Sequence, residues 1–101
     1  MTFSEVEASS QSPVNLTRTR RQLAEQAFVQ ASSAQWADAA ATNRKLLELG
    51  PDAEAENRLA KALWELGYLG EAREHYQTAL ALDPTNRIAE RNIDRLKVLL
   101  H

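Results

Sequence analysis

A chain of 101 residues with only 3 Gly and 3 Pro, rich in Ala, Leu, Glu, Arg and Gln, has room for one modest core and a composition that favours helix. Its 12 basic and 14 acidic side chains leave a net charge of −2, which removes any global pull toward nucleic acid or an anionic membrane. The lack of Cys excludes disulfides and thiol chemistry, and no apolar run approaches the ~20 residues of a membrane span.

Residues 1–16 are rich in Ser, Thr and Glu, contain Pro13 and show no helical periodicity. They read as a flexible tail, in which Phe3 and Val6 form the one candidate docking segment. No basic segment followed by an apolar core is present, so a soluble cytoplasmic protein is the expectation.

The first helix is predicted to start near Thr17 or Thr19, because Thr19 and Gln22 have the spacing of a capping box. Leu23, Ala24, Ala27, Phe28 and Ala31 then share one face, and Phe28 reads as a core residue. A turn follows near Ser32-Ser33. The second helix runs from about Trp36 to Leu49, with Trp36, Ala39, Ala40, Leu46, Leu47 and Leu49 as its apolar set. Gly50-Pro51 ends it, since Gly tolerates the left-handed cap and Pro cannot continue the ladder. Asp52 is a good N-cap for a third helix, and Glu54 and Glu56 suit the positive end of its dipole. That helix carries Ala55, Leu59, Ala60, Leu63, Trp64 and Leu66, and Gly67 terminates it. A fourth spans about Leu69 to Leu82 and stops at Asp83-Pro84. Thr85 or Asn86 caps a fifth, whose Ala89, Ile93, Leu96 and Leu100 fall on one face. No segment alternates as a strand does, so the fold class is all-α with about five helices.

Two of these segments are copies. Trp36, Ala39, Leu47, Leu49 and Pro51 precede Leu69, Ala72, Leu80, Leu82 and Pro84, pair by pair, at one constant offset. A repeat of that length marks stacked helical hairpins. Gly67-Tyr68-Leu69-Gly70-Glu71-Ala72, followed by Tyr76, Ala79, Leu80, Leu82 and Pro84, resembles the tetratricopeptide repeat. The pattern of that family is W-x-x-L-G-x-x-Y on one helix, A-x-x-x-F on the next, then P. Leu59, Leu63, Ala72, Tyr76 and Pro84 fit it or replace it conservatively, while Glu56 stands where Trp is usual and Ala60 where Gly is usual. The first copy departs further. Asn43 occupies an aromatic position, and Gln26 and Gln30 fall where Leu and Tyr are usual. A second register, pairing Leu23-Ala24 with Leu59-Ala60, fits the first helix better and lengthens its turn; both registers stay open. Ala89 and Ile93 match Ala55 and Leu59 one repeat earlier, so the fifth helix resembles the opening helix of a third repeat and acts as a cap. The resemblance implies antiparallel hairpins stacked as a short superhelix: a tail at 1–16, hairpins at 17–51 and 52–86, and a capping helix at 87–101.

In that family the first helix of each pair lines a concave face where extended peptides lie. The resemblance places Arg21, with Ala24 and Phe28, on the first such helix, Asn57, Lys61 and Trp64 on the second, and Arg91 and Arg95 on the third. The expected partner is a protein or peptide, held by cations on carboxylates, by Asn57 on backbone and by Trp64 through contact area. Trp64 fits equally as a residue packed between hairpins. The Lys and Asn clamp some members use for a carboxylate terminus is incomplete here, because Ala24, Phe28 and Ile88 fill its sites. Arg87, Arg91 and Arg95 form one stripe that Asp83, Glu90 and Asp94 are near enough to pair with. Val98, Leu99 and Leu100 exceed what a narrow helix face buries, and Val98 with Leu99 offers a homo-oligomer contact.

Chemistry is sparse. His75 lies on an exposed-looking face beside Glu71 and Glu74, far from His101, so no metal site is expected. Phosphate loops and a nucleophile elbow are missing, which implies no cofactor, no small-molecule substrate and no enzyme. The expected function is a protein-interaction module. A scaffold assembled through the C-terminal helix is the alternative, and nucleic-acid binding through the Arg stripe is the least favoured reading.

Overall fold

The computed structural model describes residues 13–101, so Phe3 and Val6 lie outside the described residues. The described residues form five helices and no strand: α1 (Pro13–Ser32), α2 (Trp36–Glu48), α3 (Ala53–Glu65), α4 (Leu69–Leu82) and α5 (Arg87–Leu99). Short connections turn the chain back each time, so neighbours run antiparallel. Each helix packs chiefly on the next in sequence, and α1 also reaches α3. That is the contact pattern of stacked hairpins rather than of a closed bundle.

Small residues set the spacing. The core runs from Ala39 and Ala40 on α2, through Leu59, Ala60, Ala62 and Leu63 on α3 and Ala72, Tyr76 and Ala79 on α4, to Ala89, Ile93 and Leu96 on α5. Alanines at so many crossings let the helix axes approach, and Tyr76, fully buried, fills the space between hairpins.

The helix starts follow local chemistry. Asp52 Oδ1 accepts from Ala55 N–H at 3.1 Å and caps α3; Asn86 Oδ1 accepts from Ala89 N–H at 3.0 Å and caps α5. Thr85, the other candidate for that cap, is occupied elsewhere, donating its Oγ1 to Asp83 Oδ1 at 2.6 Å.

The turns decide the register of the first copy. Ala34 N–H donates to the Ala31 carbonyl at 3.0 Å and Gln35 N–H to that of Gln30 at 2.8 Å. At the matching place in the second copy, Gly67 N–H donates to the Trp64 carbonyl at 2.9 Å and Tyr68 N–H to that of Leu63 at 2.8 Å. Both are Schellman turns, and both put their pivot residue at positive φ: 57° at Ala34 and 91° at Gly67. Ala27 is accordingly buried like Ala60, its partner at the same offset. The register pairing Trp36 with Leu69 therefore extends back through α1, and the register pairing Leu23 with Leu59 does not hold.

Three local expectations are corrected. Helix α1 covers Pro13 to Leu16 as well, so Thr19 is interior and the capping box with Gln22 does not form. Proline suits a first helical turn, and Arg20 ties this end down by donating to the Leu49 carbonyl at 3.1 Å. Phe28 is not core: it is 68% exposed, because no hairpin packs on that side of α1 among the described residues. Leu66 lies just past the end of α3 and is exposed.

Helix α5 repeats α3 on its inner side, where Ala89 and Ile93 are buried like their counterparts Ala55 and Leu59. Where α3 also buries Ala60 and Leu63, α5 carries Asp94 and Lys97, both exposed. One apolar stripe in place of two gives that side of the stack a solvated surface.

Candidate functional site

A groove of about 520 Å³ crosses one face of the stack. Asn57, Lys61 and Trp64 stand at i, i+4 and i+7 on α3, so one stripe of that helix enters the groove. Arg91 and Arg95, one turn apart on α5, form the opposite wall, and Ala31 with Trp36 closes the rim at the first turn. Five residues expected at the site are thus brought together, whereas Arg21 is not. In the repeat register Arg21 matches Glu54 in the first turn of α3, almost a turn short of Asn57.

Aromatic rings fix the cations. Trp64 is half-buried and meets the buried ring of Tyr76 edge to face, with centroids 6.4 Å apart and planes at 83°. The Arg95 guanidinium lies over Trp64 at 5.1 Å, and Lys61 Nζ lies 5.8 Å from the Trp36 ring while bonding Glu65 at 2.7 Å. Arg58 is held by Glu54 at 3.1 Å. Among the described residues no ion pair joins Arg87, Arg91 or Arg95 to Asp83, Glu90 or Asp94. The expected salt-bridged stripe therefore does not form, and Arg95 leans across to α3 instead.

The groove is rich in donors. Asn57 lines it with Oδ1 buried and without a partner, and the same side chain carries amide N–H groups. With Lys61, Arg91 and Arg95 they outnumber the acceptors, of which Glu65 is already engaged. Such a lining suits a ligand bearing carboxylates and free backbone carbonyls. Burial pushes the pKa of Tyr76 above its ordinary value of 10.0, against the pull of the neighbouring Asn92 and Arg95, and Glu65 adds to the push. Tyr76 is thus a neutral, rigid floor for Trp64.

Sequence reasoning missed Trp36, Arg58 and Tyr76 as lining residues. Trp36 carried a signal, since a tryptophan opening a helix beside a turn sits at the rim of a hairpin. Arg58 and Asn92 occupy matching positions on α3 and α5, and both line the groove. His75 is also placed differently from expectation. It is half-buried, with Nδ1 2.6 Å from Oε2 of the buried Glu56, because the α3–α4 hairpin brings these two turns together. Val98 and Leu99 are exposed at the end of α5, at 77% and 56%. Among the described residues no three His, Cys, Asp or Glu gather as a metal ion requires, and no helix is long and apolar enough to cross a membrane.

Fold and groove together define an all-α helical repeat with an open face. Residues 53–86, spanning α3, α4 and the turn that follows, match the family model of the tetratricopeptide repeat, which relates this chain to that family. No curated protein matches the chain.

Proposed function

We propose that this chain is a protein-interaction module that receives a peptide or a partner's surface segment in the groove between α3 and α5. The observation that carries this reading is the convergence of Asn57, Lys61, Trp64, Arg91 and Arg95 on one open groove. Its volume falls within the ~300–1,000 Å³ of ordinary binding pockets. The mechanism is complementarity. Trp64 and Trp36 supply contact area at low entropic cost, while stacked cations and the Asn57 amide fix orientation. A surface held by packed helices need not be ordered on binding, so less of the interaction energy is lost. Repeats of this family are typically non-catalytic, and the reading includes no catalytic step.

Capture of partners from lysate by the full chain tests it, alongside Lys61→Glu and Arg95→Glu, both at exposed positions that spare the core. At least one partner retained by the native chain should be lost from both variants. Equal recovery of every partner rejects the groove as the binding face.

A second reading rests on the exposure of Val98 and Leu99. Two adjacent large apolar side chains at a helix end form a patch that a second copy of the chain can cover. Light scattering across concentrations separates the two. A strictly monomeric species, unchanged by Leu99→Glu, removes self-association and leaves the groove reading in place.

A further inference from the structure

We propose that the edge of the stack where the α3–α4 turn meets the C-terminal end of α5 is a two-fold interface for a second copy of this chain, and that pairing through it leaves both grooves open. The proposal rests on the self-association reading above, which took only Val98 and Leu99, and names the full surface, the stoichiometry and the consequence.

Five large apolar side chains gather at this edge. Leu66 and Tyr68 come from the α3–α4 turn, Val98, Leu99 and Leu100 from the end of α5, and all five are exposed. The stack sets these two ends side by side, since the Arg95 guanidinium of α5 lies over Trp64 of α3 at 5.1 Å. Val98 and Leu99 follow Arg95 by one helical turn, and Leu66 and Tyr68 follow Trp64 directly. Leu66 and Leu100 also hold the same place in the repeat, each as the C-cap of its helix. Folding does not require apolar residues here. In the first copy the positions matching Leu66 and Tyr68 are Ser33 and Gln35, and that turn closes with the same hydrogen bonds. Apolar side chains held in water where polar ones fold as well mark an interaction surface.

Size and charge select a second copy as its occupant. Exposed fractions of 39% to 77% over five such side chains amount to on the order of 400 Å² of apolar surface. An ordinary protein interface takes about 800 Å² from each partner, of which apolar atoms supply about 450 Å². One copy thus brings what one side of a dimer needs, and an apolar patch meets itself without any matching of charges. A net charge of −2 is too small to hold two copies apart. Because the same patch faces itself, two copies close the assembly and leave nothing to add a third. None of the five residues lines the groove, so the pair presents two open grooves. A partner with two binding segments would then bind about 10²–10⁴ times tighter than to one groove.

Sedimentation velocity of the full chain, from low micromolar to millimolar concentration, tests this. The native chain should pass from monomer to dimer and form nothing larger. Leu66→Ser with Tyr68→Gln gives the second turn the residues of the first and leaves Val98 and Leu99 in place. That variant should keep the native helical circular dichroism and weaken the dimer about tenfold, as should Val98→Ser. Phe28→Ser, at an exposed apolar position away from this edge, should leave the dimer unchanged. A dimer that ignores the turn variant but dissolves with Leu99→Glu overturns the edge and leaves the smaller patch at the end of α5. One weakened by Phe28→Ser and not by the turn variant overturns it as well. Species larger than two that grow with concentration overturn the two-fold axis. A chain still monomeric at millimolar concentration overturns the self-association reading along with the proposal.

Discussion

Two turns with the same hydrogen bonds but different pivot residues make a controlled experiment in backbone strain. Ala34 holds φ at 57° and Gly67 holds it at 91°, each closing a Schellman turn. An L-residue in the left-handed region costs about 1–2 kcal/mol, a penalty Ala34 bears and Gly67 avoids. Glycine loses more freedom on folding, worth about 0.4–1 kcal/mol in the opposite sense. No packing term complicates either site: Ala34 is exposed, and a Cβ built at Gly67 meets nothing within 4 Å. The difference leaves Ala34→Gly stabilising by about 0.5–1 kcal/mol and Gly67→Ala destabilising by a similar amount. In a domain of this size that is a shift of roughly 2–8 °C in melting temperature, upward for the first and downward for the second. Thermal and urea melts of both variants and of the double variant read it directly, and the double variant should melt close to the native chain. An Ala34→Gly variant that melts no higher than native, beside a Gly67→Ala variant that melts lower, refutes the strain argument, since the two sites differ in nothing else that the reasoning uses.

Other consequences follow from single contacts. Asp52→Ala removes the cap on α3 and should cost about 1 kcal/mol in a urea melt, nearly all of it from the cap, because the Arg20 contact at 3.9 Å is partly exposed and weak. Asn43 is buried at the position Tyr76 fills in the second copy, with Oδ1 lacking a partner and Nδ2 donating to the Ala39 carbonyl at 2.9 Å. Asn43→Leu removes that unsatisfied atom and should stabilise by about 1 kcal/mol; a loss of stability would show that the cavity is shaped for the amide. Tyr76 has its pKa raised by burial, so it contributes fully below the unfolded tyrosine value of 10.0, and its share is lost as pH rises through the folded value. The stability difference between the native chain and Tyr76→Phe, followed by denaturant melts, should therefore be flat up to about pH 10 and shift against the native chain above it. A difference that stays level through the alkaline range contradicts the burial argument.

Much of the fold was legible because it is written in local chemistry. The caps at Asp52 and Asn86, the stops at Gly67 and Pro84, and the spacing of Leu59, Leu63, Ala72, Tyr76 and Pro84 each specify a backbone event within a few positions. The constant offset between copies then states that the hairpins repeat, and repetition implies stacking and an ordered row of opening helices. Positions on those helices could be carried into one groove for the same reason, which is why Asn57, Lys61, Trp64, Arg91 and Arg95 meet.

What local chemistry does not encode is which side of a helix has a neighbour. Phe28 and Ala27 are adjacent and both apolar, yet one is 68% exposed and the other fully buried, because only the packing of α2 and α3 chooses the face of α1. His75 and Glu56 are 19 residues apart and look solvated in sequence; the hairpin closes them to 2.6 Å. Arg95 has acids nearby in its own helix and stacks instead on Trp64 of another. The sequence by itself settled the number of helices, the period and the ends marked by Asp52, Gly67, Pro84 and Asn86, since each depends on torsions and hydrogen bonds among near neighbours; it did not settle the start of α1. Tertiary structure alone decided burial and the cross-helix contacts of His75 and Arg95, since those depend on segments that the chain order leaves far apart.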